Sequence, residues 1–433
     1  MKTPFLLLLL SVLPLSTVAQ LYFPPNNSNE WETTDPSQLN WCPEKIDELY
    51  QFLADNDTKA FILLKDGKIV LEQYFGGFTA ESNWYWASAG KTLTAVMTGI
   101  AQQEGFLDIH NPTSDYLGAG WTSCTPAQEA AITVWNQLTM TSGLDDGVAD
   151  PYCTDPACLQ YLADPGTRWA YHNGPYTLLD GVIENATGQT LNLYTQQKLK
   201  SVTGMDGLYL PSGYNNVFWS TPRSMARFGL FILNEGNWDG TQVLTDTAYF
   251  DQMVNTSQNL NLSYGYLWWL NGKESFMLPS TQVVFPGSLI SNAPDDMISG
   301  LGADGQFVNV IPSQNMVWIR MGEDPSSVPV PYLLNIGIWD YLNQLECGLA
   351  TQDLSQPTFT LYPNPVKDEV HITVSTPQTT PMGYQLYTSL GQLVQKGPVE
   401  NDATLNVQHL PHGLYFLKLK TVKGEQTLRL VKE

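Results

Sequence analysis

Ser88 and Lys91 stand three residues apart in Ser88-Ala89-Gly90-Lys91. On an α-helix that spacing makes two side chains neighbours on one face. A serine hydroxyl becomes a useful nucleophile when a nearby base takes its proton. Lysine can be that base if burial and the helix dipole lower its pKa from about 10.4. The start of a helix also presents backbone N–H groups to a developing oxyanion. A second set, Tyr171-His172-Asn173, adds a phenol and a carboxamide. The phenol can share a proton with the Ser/Lys pair if cations hold its pKa down. The asparagine amide can donate to a substrate carbonyl or hold the lysine in place. Each set alone also has a plain reading, as a polar helix start or an aromatic-rich loop.

The elements around these residues must position them. Leu93, Val96, Met97, Ile100 and Ala101 recur at helical spacing, which predicts a helix with Ser88 in its first turn. Upstream, two β-rich runs, Ala60 to Leu64 and Ile69 to Tyr74, flank Lys65-Asp66-Gly67-Lys68 and predict a hairpin with an Asp-Gly turn. Tyr176 to Glu184 and Ser224 to Leu233 read as helices. Gln306 to Ile311 and Met316 to Arg320 read as adjacent antiparallel strands, and Tyr332 to Leu345 as a closing helix. Strands at both ends of a helical middle predict an α+β arrangement. From about residue 357 the texture changes to short β-rich runs between turns, which predicts a small all-β sandwich.

The chain has 433 residues and a formal net charge of −22. From residue 351 onward there are seven Lys/Arg and seven Asp/Glu, so the acidity lies upstream. A phosphate backbone needs a basic face, so nucleic acid is excluded as a partner. Residues 1–19 read as a signal peptide: Lys2, an apolar run from Phe5 to Leu15, and small residues before the cut. The mature chain has no stretch that predicts an integral membrane segment. Export makes disulfides plausible among Cys42, Cys124, Cys153, Cys158 and Cys347. The short Cys153–Cys158 loop favours that pair, and Cys42 and Cys347 could tie the ends of the catalytic region, leaving Cys124 over. Pairing is not deducible from spacing alone.

Other chemistries fit less well. Gly90-Lys91-Thr92 has the ending of a phosphate-binding loop, but Tyr85 stands where that loop needs glycine. There is no G-x-S-x-G elbow for a Ser-His-Asp hydrolase. His172 reads as packing or as lining the pocket mouth, and His110 as structural. Trp84, Trp86, Trp169, Trp219, Trp268 and Trp269 are candidates for an apolar cleft or for core.

Together, S-x-x-K and Y-x-N resemble the serine β-lactamase and penicillin-binding superfamily, most closely its class C-like and esterase branch. Leu138-Thr139-Met140-Thr141-Ser142-Gly143-Leu144, Ser220-Thr221-Pro222-Arg223 through Gly229, and Tyr264-Gly265-Tyr266-Leu267-Trp268-Trp269 resemble further segments of that branch. The likeness spans about residues 40 to 347 and implies the β-lactamase/penicillin-binding-protein fold. The third lactamase motif departs from the pattern. Gly300-Leu301-Gly302-Ala303-Asp304-Gly305-Gln306 has no Lys or His in its first place and is similar to the form in 6-aminohexanoate-dimer hydrolases. That family implies an oxyanion hole from the backbone N–H groups of Ser88 and Ala303, beside Gly302, with no metal or organic cofactor. It loses the cation that grips a β-lactam carboxylate, unless Arg320 or another cation substitutes.

Leu361-Tyr362-Pro363-Asn364-Pro365, Gly413-Leu414-Tyr415-Phe416 and the final Leu430-Val431-Lys432 resemble a type IX secretion sorting domain. The reading divides the chain into a signal peptide (1–19), a hydrolase domain (20–349), a linker (350–356) and a sorting domain (357–433). It implies a secreted or cell-surface protein exported through the periplasm, with the type IX machinery as partner. The expected activity is cleavage of a small ester or amide through a Ser88 acyl-enzyme. Ser88, Lys91 and Tyr171 would act in catalysis, and Asn173, Gly302 and Ala303 in substrate and oxyanion binding. The alternatives are a β-lactamase or D,D-peptidase, and a non-catalytic binding protein on the same fold.

Overall fold

In the computed structural model the described residues are 21–324, 330–347, 359–374, 383–399, 403–421 and 424–433. The expected signal peptide (1–19) and linker (350–356) lie outside them. Strands β1 (Thr58–Lys65) and β2 (Lys68–Tyr74) form the predicted hairpin. Asp66 and Gly67 both take positive φ, 51° and 82°, as a two-residue Asp-Gly turn requires. A two-residue strand, β3 (Trp84–Tyr85), leads into a 3-10 turn at Ala87–Gly90 and then helix α1 (Lys91–Gln103). Ser88 therefore sits in a tight turn just ahead of the α-helix, and not within its first α-turn.

The middle of the chain supplies helices α2 (Asn173–Thr177), α3 (Leu179–Thr187) and α4 (Pro222–Leu233). Between α3 and α4 lie strands β4 (Leu208–Ser212) and β5 (Asn215–Ser220), which pair with β3 in the order β3-β5-β4. The chain then returns to the main sheet with β6 (Trp269–Leu270), β7 (Ile298–Gly302), β8 (Gln306–Ile311) and β9 (Met316–Gly322). The six-stranded order is β2-β1-β9-β8-β7-β6, all antiparallel. Every residue of β8 and β9 is buried. Central strands covered on both faces are expected to read as nearly continuous apolar runs. Helix α5 (Tyr332–Leu342) closes the layer and is one turn shorter than the pattern predicts.

Two disulfides form, Cys42–Cys347 and Cys153–Cys158, and Cys124 is free. The first joins positions 305 residues apart and so staples the two ends of the sheet-and-helix unit.

The C-terminal residues build a second core. Strands β10 (Phe359–Tyr362), β11 (Glu369–Val374) and β14 (Thr404–Asn406) form one antiparallel sheet. Strands β12 (Gly383–Thr388), β13 (Leu393–Gly397), β15 (Gly413–Thr421) and β16 (Gly424–Lys432) form another, in the order β13-β12-β15-β16. Val370, Leu386, Leu405, Leu417 and Leu430 pack between them.

Candidate active site

Lys91 Nζ lies 3.0 Å from Ser88 Oγ and is hydrogen-bonded to it. Lys91 is only 4% exposed, whereas Ser88 is partly open to solvent. Burial holds the amine down to about 7, with Asp180 pulling the other way. An amine near 7 that touches a reachable hydroxyl is what proton abstraction from serine demands. The preceding residue, Ala87, has φ 45°, in the left-handed region that residues with a Cβ seldom enter. Strained backbone of this kind clusters at sites of function. The turn is anchored from behind: Trp86 Nε1 donates to Ser220 Oγ at 2.8 Å, and Trp86 N to Phe218 O.

Strand β7 brings the third motif against this turn. A Cβ on Gly302 would stand 2.6 Å from Trp86 O and 3.0 Å from Ala89 N. Only glycine permits that backbone-on-backbone contact. Ala303 opens the 3-10 turn Ala303–Gly305, and Ser88 is second in its own turn. The first N–H groups of a helical turn have no partner within it. The Ser88 and Ala303 amides thus belong to adjacent turn starts, and both residues are partly exposed.

Gly300 leaves no room for a cation in the first motif place. A Cβ there would meet Val308 Cγ1 at 2.7 Å and Thr92 Cγ2 at 3.1 Å. Arg320 does not substitute. It is wholly buried, and its guanidinium donates to Thr58 Oγ1 and to the carbonyls of Asn56, Asp304, Gly305 and Glu323. Its bonds to the carbonyls of Asp304 and Gly305 make it a scaffold for the Ala303–Gly305 turn.

Tyr171 reaches the same place from the loop before α2. Its ring stacks on Trp269 (centroids 5.8 Å, 19°) and lies 6.3 Å from both Trp169 and Tyr264. The expectation that cations lower its pKa does not hold. Burial drives the phenol well above its usual value, opposed by a hydrogen bond with Ser88. Tyr171 is accordingly a protonated group at neutral pH. Trp86, Trp169, Trp268 and Trp269 are buried core and not cleft lining. Trp84 and Trp219 are half-buried on the β3-β5-β4 sheet.

Asn173 is the first residue of α2 and is buried. The loop closed by Cys153–Cys158 packs on the residue after it: a Cβ on Gly174 would lie 2.5 Å from Cys153 O, and Gly174 N donates to Pro151 O at 2.9 Å. The Leu138–Leu144 segment supports the Tyr171 loop, with Ala170 N donating to Met140 O, and Gln137 just ahead of it donates from Nε2 to Pro175 O. Leu267 N, within the Tyr264–Trp269 segment, donates to Leu138 O. His172 is 1% exposed, and burial lowers it to about 4, so the ring is neutral packing beside Tyr171.

Two residues near Lys91 had no motif to announce them. The Tyr176 ring centroid is 4.1 Å from Lys91 Nζ. Asp180, one turn further along, is pushed up to about 7 by burial, against the pull of Asn216 and Lys91, and its Oδ1 is buried without a partner. The four-residue spacing from Tyr176 to Asp180 was the only available signal. Among the described residues, no group of three or more His, Cys, Asp or Glu is placed to hold a metal ion.

Residues 55–333 match the family described as beta-lactamase, and residues 360–433 match the secretion system C-terminal sorting domain. The first match covers more than half of the chain, so the protein belongs to the beta-lactamase family, a family of hydrolases. The tail is a sorting domain of the type IX kind, which implies secretion or display at the cell surface. Among relatives, 6-aminohexanoate-dimer hydrolase of Paenarthrobacter ureafaciens is 20% identical over 336 residues, 66% of this chain and 78% of that one. Among solved structures, a penicillin-binding protein homologue from Caulobacter crescentus superposes with TM-score 0.52 at 14% identity, covering 70% of this chain and 98% of the other. A family VIII carboxylesterase gives TM-score 0.50 at 16% identity, covering 69% and 98%. At these identities the structural likenesses concern the fold. No helix among the described residues is long and apolar enough to cross a membrane.

Proposed function

We propose that this protein is an exported serine hydrolase that cleaves an ester or amide bond through an acyl-enzyme on Ser88. The observation that carries the reading is the buried Lys91 amine, near neutrality, 3.0 Å from a solvent-reachable hydroxyl. In this mechanism Lys91 Nζ takes the Ser88 proton as Oγ bonds to the substrate carbonyl carbon. The amides of Ser88 and Ala303 hold the oxyanion, as preorganised donors do in acyl transfer. Tyr171, protonated and hydrogen-bonded to Ser88, hands a proton to the leaving alcohol or amine and is resupplied from Lys91. Asn173 orients the substrate carbonyl side. Water then adds to the acyl carbon, giving up its proton to the same pair, and the acid leaves as the Ser88 hydroxyl is restored.

The names of the relatives span both bond types, a dimer hydrolase with an amide substrate class and a carboxylesterase, which is why ester and amide both stay in the proposal. A β-lactamase or D,D-peptidase is disfavoured by Gly300, where those enzymes hold a cation. Export would run through the periplasm, guided first by residues 1–19 and then by the tail.

The test is fluorophosphonate labelling of purified protein, followed by turnover of p-nitrophenyl esters, short amides and nitrocefin. Covalent labelling and ester or amide turnover, both lost in Ser88→Ala while the fold is kept, are the expected results. Turnover that persists in a folded Ser88→Ala protein would refute the reading. Failure of the wild type to label or turn over any of these would favour a binding protein.

A further inference from the structure

One hydrogen bond joins the strand that leads to Ser88 with the turn that carries Ala303. Tyr85 Oη donates to Asp304 Oδ2 at 2.6 Å. Tyr85 precedes Ser88 by three residues, and Asp304 directly follows Ala303. The bond therefore ties together the two backbone arms that carry Ser88 and Ala303.

The turn needs such a tie. Asp304 and Gly305 hold φ of 58° and 75°, so Ala303–Gly305 is not held by a regular ladder or a normal helical path. Its carbonyls are gripped from inside by Arg320, at 3.0 Å for Asp304 O and 2.8 Å for Gly305 O. Its side-chain end is gripped by Tyr85. The Tyr85 ring is itself fixed, 5.1 Å from Trp84 and 5.5 Å from Trp219. Burial raises the phenol well above its usual value, so it remains a donor across the working range.

We propose that Tyr85 and Asp304 are positioning residues for acyl transfer, their hydrogen bond setting the separation and aim of the Ser88 and Ala303 amides. The proposal rests on the serine-hydrolase reading above. An oxyanion donor works only within about 2.7–3.1 Å of where the charge develops. A displacement of about 1 Å costs on the order of 10²-fold in rate. The tie spans the two donors, so loosening it moves one relative to the other without touching Lys91, Tyr171 or the substrate's remote contacts.

The experiment compares Tyr85→Phe, Asp304→Asn, Asp304→Gly and the Tyr85→Phe/Asp304→Gly pair with wild type on p-nitrophenyl acetate. Phenylalanine keeps the ring stack and removes one oxygen. Asparagine keeps an acceptor and tolerates left-handed φ, and glycine accepts that φ without an acceptor. The expected result is a kcat loss of about 10- to 100-fold in Tyr85→Phe and Asp304→Gly. KM should stay within about twofold, since ground-state binding is untouched. The pH at which activity rises should not move, because it reports the base. Asp304→Asn should keep most of the activity, and Tyr85→Phe should cost nothing further in the Asp304→Gly background. Wild-type kcat in Tyr85→Phe would overturn the proposal. So would losses that multiply in the pair, or a loss accompanied by a shifted pH profile or collapsed melting. Turnover that survives Ser88→Ala would remove the reading beneath the proposal, and the proposal with it.

Discussion

The Tyr176 ring lies against the Lys91 amine, with its centroid 4.1 Å from Nζ. The ring excludes water from one side of a group that is already buried, and burial is the main cause of the amine's descent to about 7. The electrostatics of the site therefore belong to packing more than to neighbouring charge. If Lys91 is the base, kcat/KM for an ester should rise as pH passes through about 7, where the amine loses its proton. Tyr171 is held well above its usual value, so no matching fall should appear before strongly alkaline pH. A profile that falls already near pH 8 would show that a required acid loses its proton there, and would contradict a role for a Tyr171 phenol held above its usual value. Lys91→Ala should lower turnover by about 10²-fold or more, and Tyr171→Phe likewise, as lost proton transfer does.

The same burial has a consequence for stability. Lys91 sits below its ordinary 10.5 in the folded chain, so unfolding takes up a proton between about pH 7 and that value. Its burden on folding is full below the lower limit, shrinks as pH rises, and vanishes above the upper one. Lys91→Met should consequently raise the melting temperature while abolishing turnover, and the gain should be larger near pH 6 than near pH 10. Calorimetry at the two pH values decides it, and a gain that grows with pH would contradict the assignment.

Asp180 raises Lys91 through its charge while burial lowers it. Asp180→Asn keeps the shape and a partner for Asn216 but deletes that charge. Its expected effect is a shift of the rising limb of kcat/KM toward lower pH. An unshifted or upward-shifted limb would show that Asp180 is not electrostatically linked to the base.

The Ser88–Lys91 pair was legible because its relation is local. A three-residue spacing ahead of an apolar stripe needs no tertiary fold to bring Ser88 and Lys91 together. The hairpin around Asp66-Gly67 and the paired strands β8 and β9 were legible for the same reason. What could not be read is what depends on distant partners. Tyr85 and Asp304 are 219 residues apart in sequence. The protonation of Tyr171 depends on how deeply the fold buries it among Trp169, Tyr264 and Trp269. Arg320 was read as a possible partner for a substrate carboxylate because a late-strand arginine looks available. The carbonyls of Asn56, Asp304, Gly305 and Glu323 that occupy it come together only in the folded sheet.

Short-chain esters should be turned over far better than β-lactams. Gly300 has Val308 and Thr92 where a lysine side chain would have to start, and Arg320 is committed inside the scaffold. No cation from β7 or β9 is left for a β-lactam carboxylate. Comparing nitrocefin with p-nitrophenyl acetate or butyrate measures the preference. Nitrocefin turnover that matches or exceeds ester turnover would contradict it. Gly300→Lys should not convert the enzyme, since the new side chain would have to displace Val308.

The Cys42–Cys347 bridge should matter more for stability than for chemistry. Cys42 is the residue before the helix Pro43–Asp55, and that helix packs on α5 through Phe52 and Tyr341, whose ring centroids are 4.7 Å apart. The bridge joins positions 305 residues apart and lies outside all of the site contacts described. Replacing both cysteines by serine should cost about 2–5 kcal/mol of stability, as removal of a native disulfide typically does. Ester turnover below the melting transition should be unchanged.

A chain of residues 20–349 should keep both that bridge and the activity. The residues proposed to act in catalysis, β7, β8 and the Ala303–Gly305 turn all lie upstream of Cys347, and the tail strands bury their own core around Val370, Leu386 and Leu417. Melting and kcat of this shortened chain should match full-length protein within error. Cells that have a type IX system should retain it inside while exporting the full-length form, because the match to a sorting domain lies entirely within residues 360–433. A shortened chain that folds yet loses turnover would place part of the substrate site in the tail. One that is exported normally would show that the tail does not direct export.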